Sequence, residues 1–165
     1  MLCEKVLGNI KEDKYKNKDI DYVDIEWHET FKKIHKKTSS KGREVGIRLG
    51  NEILVKGLNQ GDVLWCEGND AVAVNIPQCE VISVKAENSV LVPKICYEIG
   101  NRHAALFKGN DENEFITPYN EPMLEMLSKI HKHSEGKCYG TIVEKRIEKL
   151  NFDNAISSTV NNHTH

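Results

Sequence analysis

The sequence predicts an α+β protein with a small all-β domain over residues 1–76, a ferredoxin-like βαββαβ domain over residues 77–150 and a disordered tail over 151–165. Three observations carry this expectation. Short segments of alternating apolar and polar residues, separated by turn clusters, fill the first half. After Pro77 the order becomes strand, helix, strand, strand, helix, strand, the split pattern of ferredoxin-like folds. From Asn151 the chain turns polar and aperiodic.

The 165 residues suffice for one domain or two small ones. With 29% charged residues, 39% hydrophobic residues and a net charge of −2, the chain reads as an ordinary soluble protein without the global basic footprint of a nucleic-acid binder. No apolar run approaches the roughly 18 to 20 residues that span a bilayer. Met-Leu-Cys-Glu-Lys at the start has neither the apolar core nor the cleavage site of a signal peptide, so the expected location is cytoplasmic. Neither a membrane nor a nucleic acid is an expected partner. The five cysteines (Cys3, Cys66, Cys79, Cys96, Cys138) are scattered without a Cys-x-x-Cys pair, which argues against a disulfide framework or structural zinc and for small buried apolar residues.

In chain order, Tyr22 to Trp27 alternates Val23, Ile25 and Trp27 against Tyr22, Asp24 and Glu26. Glu44 to Leu49 does the same with Val45, Ile47 and Leu49. Strands are also expected at Ile53 to Val55, Val63 to Glu67 and Ala71 to Ile76, with turns at Asn59-Gln60-Gly61 and Gly68-Asn69-Asp70. Between the first two strands, Lys32, Lys33, Lys36, Lys37, Lys41 and Arg43 form an acid-free run containing His35. Such a run suits a solvated edge or loop, since lysines protect an edge strand from pairing with strangers. A docking surface for an acidic partner or RNA is the weaker reading, since no aromatic is interleaved to stack on bases.

In the second half, Glu80 to Ala86 reads as a strand. A helix follows from Ser89 to Ile99, capped by Asn88 or Ser89, with Pro93 in its first turn and Leu91, Val92, Ile95, Cys96 and Ile99 on its apolar face. Gly100 is expected to end it in a left-handed conformation and so to present His103 from a fixed point. Ala104 to Lys108 and Glu114 to Thr117 flank the Gly109-Asn110-Asp111 turn. A second helix opens at Asn120 with Pro122 in its first turn and Met123, Leu124, Leu127 and Ile130 on one face, and Cys138 to Ile147 closes the series as a strand.

Seven histidines are the main chemical inventory. A fixed imidazole at His103 suits metal binding or proton transfer, or simply caps helix carbonyls. His131 and His133 stand near the end of the second helix, His28 and His35 read as surface residues, and His163 and His165 lie on the tail, where both can reach one ion. Cys96 is the candidate nucleophile of a hydrolase reading with His103, although its place on the apolar stripe argues for core.

The strand Glu44-Val45-Gly46-Ile47-Arg48-Leu49, the turn and strand Gly61-Asp62-Val63-Leu64, the helix end Tyr97-Glu98-Ile99-Gly100-Asn101-Arg102-His103 and the opening Pro122-Met123-Leu124 stand in an order that resembles the UreE urease accessory protein family. The likeness covers about residues 20 to 150, and Gly-Asn-Arg-His is its specific part. What the resemblance implies is a non-enzymatic nickel metallochaperone that delivers Ni(II) during assembly of the urease active site. It would be a homodimer whose N-terminal β domain binds partners, namely urease apoprotein and other urease accessory proteins, and whose second domain binds metal and dimerises. The family's metal-binding histidine falls on His103. Where many family tails are long and histidine-rich, this one offers only His163 and His165.

One imidazole is too few for Ni(II), but a two-fold dimer brings two copies together. By the usual affinity order Cu(II) binds such a site more tightly and Zn(II) competes. Three function classes follow. These are the metallochaperone, a metal-independent adaptor using the basic β domain, and a Cys96/His103 hydrolase.

Overall fold

The computed structural model describes residues 1–132 and 140–157. The chain divides between Pro77 and Gln78 into two compact units.

The first unit contains β1 (Leu2–Cys3), β2 (Gly8–Asn9), β3 (Asp19–Asp24), β4 (Ile34–Thr38), β5 (Glu44–Arg48), the helical turn α1 (Ile53–Lys56), β6 (Asp62–Glu67) and β7 (Asp70–Asn75). Two sheets form, ordered β1-β5-β4 and β2-β6-β7-β3. β1 runs parallel to β5 and β3 parallel to β7, while the remaining pairs are antiparallel. The alternation read in the sequence is realised at β5, where Val45, Ile47 and Leu49 are buried while Glu44 and Arg48 are exposed. β7 lies between β6 and β3, so Ala71, Val72, Ala73 and Val74 are all buried. Gly61 is obligatory at φ 83°, because a Cβ there would stand 2.7 Å from the Ile10 side chain.

Two expectations fail here for local reasons. Ile53 to Val55 is not a strand but the turn α1, closed by Lys56 N–H donating to the Glu52 carbonyl and ended by Gly57 at φ 68°. A three-residue apolar run has no period with which to choose. Only Ile53 is buried, and Val55 is 83% exposed. Trp27 does not continue β3, because the strand stops at Asp24 and Trp27–Glu29 forms a 3-10 turn. Part of the basic run is β4, an edge strand, in keeping with the solvated edge expected of it.

The second unit contains β8 (Cys79–Ala86), α2 (Val92–Asn101), β9 (Leu106–Lys108), β10 (Glu114–Pro118), α3 (Glu121–Lys132), β11 (Thr141–Glu148) and β12 (Ala155–Ser157). Its sheet has the order β11-β8-β10-β9-β12 with every pair antiparallel. Ile82, Val84 and Ala86 on one face of β8 pack with Leu106, Phe115, Ile95 and Ile99 of α2, and Met123, Leu127 and Ile130 of α3. Both helices therefore cover that face. Burying side chains of this size contributes roughly 1.5 to 3 kcal/mol each, so the apolar stripes of the helices fix where their ends emerge. Asn120 caps α3 as its sequence position suggests, its Oδ1 accepting from Met123 N–H at 2.9 Å.

Residues 151–157 depart from the expected disordered tail. Asn151 accepts from Asp153 N–H at 3.0 Å and starts a 3-10 turn, Phe152 meets Phe107 edge-on at 5.7 Å between ring centres, and β12 pairs with β9. Polar composition concealed this, because a single phenylalanine and a three-residue strand leave no periodic signal. The rest of that tail, 158–165, lies outside the described residues. Among the described residues no helix is long and apolar enough to cross a membrane.

Candidate metal centre at the end of helix α2

α2 begins later than its sequence suggests. Asn88 Oδ1 accepts from Val90 N–H at 3.0 Å, forming a turn two residues long, and Leu91 takes the cap position without a side-chain hydrogen bond. Pro93 does fall in the first turn. The larger difference is at the other end. Gly100 does not stop the helix, since Gly100 and Asn101 remain within it and the left-handed residue is His103, at φ 53°.

His103 N–H donates to the Gly100 carbonyl at 2.9 Å, and Ala104 N–H donates to the Ile99 carbonyl at 3.4 Å. This pair of bonds is a Schellman stop with His103 in the position that glycine usually fills. Its apolar contact is supplied by Ile99, fully buried, and Ala104, packed against the same core. The core thus sets the end of α2: Ile99 is anchored beneath the sheet, and the chain must reverse within a few residues to enter β9. Holding a residue with a Cβ in the left-handed region costs about 1 to 2 kcal/mol, although histidine tolerates it better than branched residues do.

The left-handed φ sets the direction in which the Cα–Cβ bond of His103 leaves the turn. The His103 side chain is exposed. Its neighbour Arg102 folds back along α2, its Nη1 donating to the Glu98 carboxylate at 2.9 Å and to the Glu98 carbonyl at 3.1 Å. Among the described residues, no hydrogen bond is made to the imidazole of His103 and no group of three or more His, Cys, Asp or Glu side chains is arranged to hold a metal. An exposed imidazole nitrogen is a suitable ligand for Ni(II), Cu(II) or Zn(II), but one per chain is an incomplete site. Completion requires a second copy or other residues.

The other candidates are dispersed. His163, His165, His133 and Cys138 lie outside the described residues, and His131 is in the last turn of α3. His28 is exposed, with its ring edge-on to Trp27 at 5.6 Å. His35, expected at the surface, is 6% exposed. It faces inward from β4, its Nε2 2.9 Å from the Lys32 carbonyl, and burial pushes its pKa down. Cys3 is buried, whereas Cys66, Cys79 and Cys96 are only half-buried, so the expectation that the cysteines are buried is corrected for these three. Burial pushes the Cys96 thiol up, away from the thiolate a nucleophile needs.

The basic run is largely neutralised within the first unit. Lys37 and Lys32 pair with Glu29 at 2.6 and 3.5 Å, Lys41 with Asp19 at 2.6 Å, and Arg43 with Asp70 at 3.1 Å. Lys33 donates to Asn51 Oδ1 at 2.9 Å. The hydrogen bond from Lys37, together with its charge, outweighs partial burial and holds the Glu29 carboxyl at about 2. A run that looks acid-free along the sequence is therefore not so in space.

Sequence reasoning overlooked Glu114. Its side chain is 6% exposed at the start of β10. Oε1 accepts from Ser83 Oγ of β8 and Arg146 Nη2 of β11, both at 2.6 Å, while Oε2 accepts from the N–H groups of Asn110 at 2.8 Å and Asp111 at 3.0 Å. Burial alone would raise its pKa. The Ser83 hydroxyl, the two backbone N–H groups and the Arg146 charge overcome it and hold the carboxyl at about 2. Nothing in the local pattern marks it, because Ser83 and Arg146 reach it only through the sheet and the two N–H groups only through the hairpin turn.

The family model described as the UreE urease accessory protein, N-terminal domain, matches residues 3–77. A urease accessory protein UreE of Acetivibrio thermocellus is 49% identical over 129 residues, covering 78% of this chain and 81% of that protein. The chain belongs to the UreE urease accessory protein family. The UreE of Helicobacter pylori strain Shi470 is 44% identical over 130 residues, and that of Helicobacter acinonychis 42% identical over 130 residues, each alignment covering 79% of this chain and 76% of the relative. Alignments of this length extend beyond the first unit, so membership in the UreE family does not rest on the β-rich half alone.

Proposed function

We propose that this protein is a nickel metallochaperone that delivers Ni(II) for assembly of the urease active site. The observation that carries the proposal is His103: an exposed imidazole kept at a strained helix stop where glycine would fit better. Sterically costly residues of this kind persist where their side chain has a task. In a member of a urease accessory family, the task that fits an imidazole is holding the metal that urease receives.

The second unit, residues 77–150, is assigned as the metal-binding and dimerisation domain. Its βαββαβ element order and the sheet order β11-β8-β10-β9 support a ferredoxin-like arrangement. A homodimer with two-fold symmetry pairs one His103 with its copy, giving two imidazoles to one ion. Tyr97, 66% exposed on α2, and Val90, 76% exposed just before it, offer apolar surface for that contact. His163 and His165 supply further ligands. With coordination positions left to water, such a site releases its cargo to an acceptor, and Cu(II) or Zn(II) compete for it by the ordinary affinity order. The first unit, residues 1–76, is assigned to partner binding with urease apoprotein and other accessory proteins in the cytoplasm. A metal-independent adaptor role for the basic run is less supported, since most of its charge is already paired.

His103→Ala tests the assignment. Calorimetric titration with Ni(II) should give one tight ion per two wild-type chains and none in the variant. Tight binding of the same stoichiometry in the variant would remove the proposal.

A further inference from the structure

We propose that the outer face of the sheet β1-β5-β4, centred on Gly46, is a docking trough for an extended segment of a partner protein that carries a bulky apolar side chain two residues from a carboxylate. The inference deepens the assignment of the first unit to partner binding and rests on it. Leu2, Gly46 and Lys36 stand in one row across the three strands, and Ile34 stands opposite Arg48 in the next. Cys3, Val45, Ile47 and His35 are buried on the other face. The outer face stays open. Leu2 is 56% exposed and Ile34 70%, and both line a trough of about 370 Å³ that has Gly46 in its floor.

The glycine is the first clue to the occupant. Glycine weakens the interior of a strand, and at Gly46 nothing within the chain requires it. Its φ is not positive, and an added Cβ would meet only Leu2 Cδ1 and the Met1 carbonyl oxygen, both at 3.6 Å, which is ordinary contact. A missing side chain in the central strand lets another chain approach closely, and Leu2 and Ile34 supply apolar walls for what enters.

Charge is the second clue. Lys32, Lys37, Lys41 and Arg43 pair with acids and Lys33 donates to Asn51, which leaves Lys36 as the member of the basic run without such a partner among the described residues. It lies directly across from Gly46. In an extended segment, residues two apart face the same way about 7 Å from each other, so an apolar side chain seated over Gly46 brings a carboxylate within reach of the flexible lysine stem. Glu44, exposed at the far end of β5, repels that carboxylate and so sets the direction of the segment.

The test titrates the isotope-labelled full-length chain with the peptide acetyl-Ser-Ser-Leu-Ser-Asp-Ser-Ser-amide and follows the backbone amide shifts by NMR. Shifts should centre on the strands around Leu2, Lys36 and Gly46. Gly46→Val fills the seat of the apolar side chain and should weaken the Kd about tenfold or more, while Tm holds or rises and Ni(II) titration is unchanged. Lys36→Gln should weaken it about threefold, and Asn in place of the peptide Asp should cost as much in the wild type and nothing further in Lys36→Gln. Ser in place of the peptide Leu should remove the shifts. Equal affinity in Gly46→Val, or equal binding of the peptide without Leu, overturns the trough. Shifts confined to other parts of residues 1–77 overturn the trough and leave the partner-binding role of the first unit standing. If no amide of residues 1–77 moves, both fall.

Discussion

Two turns flank β9, and they are built on opposite terms. The turn after it is held by Glu114, a buried carboxylate with two side-chain partners and two backbone partners, tying the hairpin to β8 and β11. The turn before it is made by His103, which is exposed, left-handed and without a hydrogen bond to its ring among the described residues. One turn spends its chemistry on stability. The other accepts strain and leaves its chemistry available. A side chain fully engaged by its own fold has nothing left for a ligand, so the less stable turn is the one to examine for function.

The sharpest way to break this comparison is at Glu114. Glu114→Gln keeps the shape but removes the charge facing Arg146 and turns one acceptor into a donor. It should lower the stability of the second unit by about 3 kcal/mol, on the order of the free energy equivalent of its displaced pKa. Chemical denaturation followed at neutral pH measures it, and a loss below about 1 kcal/mol would show that the network is not a clamp.

The same carboxyl gives a pH signature. Its pKa is about 2 in the folded chain against an ordinary 4.5, so the folded state binds fewer protons in that interval. Its stabilisation is whole above about pH 4.5 and disappears as pH falls through about 2. Glu29 is also held at about 2 and adds to the acid lability. The difference between wild-type and Glu114→Gln stability, measured from pH 6 down to 2 in unit steps, should therefore shrink across the window. A constant difference would assign the effect to packing.

At the other turn the sign should reverse. His103→Gly relieves the left-handed strain, and the fold should become more stable by about 1 kcal/mol, or a few degrees in Tm, while metal binding is lost. The conservative His103→Asn, also tolerant of that conformation, should leave Tm near wild type. Destabilisation by glycine would mean that the imidazole contributes contacts of its own and that the contrast between the turns is false.

The smallest effect is expected in the basic run. Lys37→Ser should cost at most about 1 kcal/mol and return the Glu29 carboxyl towards its ordinary range, followed by NMR titration. Ni(II) affinity should not change, since the run belongs to the first unit and the proposed ligand His103 to the second.

Much of this protein was determined by the sequence itself. The alternation in β5, the apolar stripes of α2 and α3 and the Asn120 cap are local, because side-chain periodicity and the first-turn N–H groups impose them before any distant contact forms. Gly-Asn-Arg-His also placed the candidate ligand in a turn. Only tertiary structure decided that His103, and not Gly100, takes the left-handed position, because the end of α2 is set by burial of Ile99 against the sheet. It likewise gathered the partners of Glu114 from β8, the hairpin turn and β11, turned His35 inward, paired the lysines with acids distant in sequence, and returned residues 155–157 to the edge of β9. Most of these depend on contacts between segments far apart along the chain, and none is encoded by local periodicity.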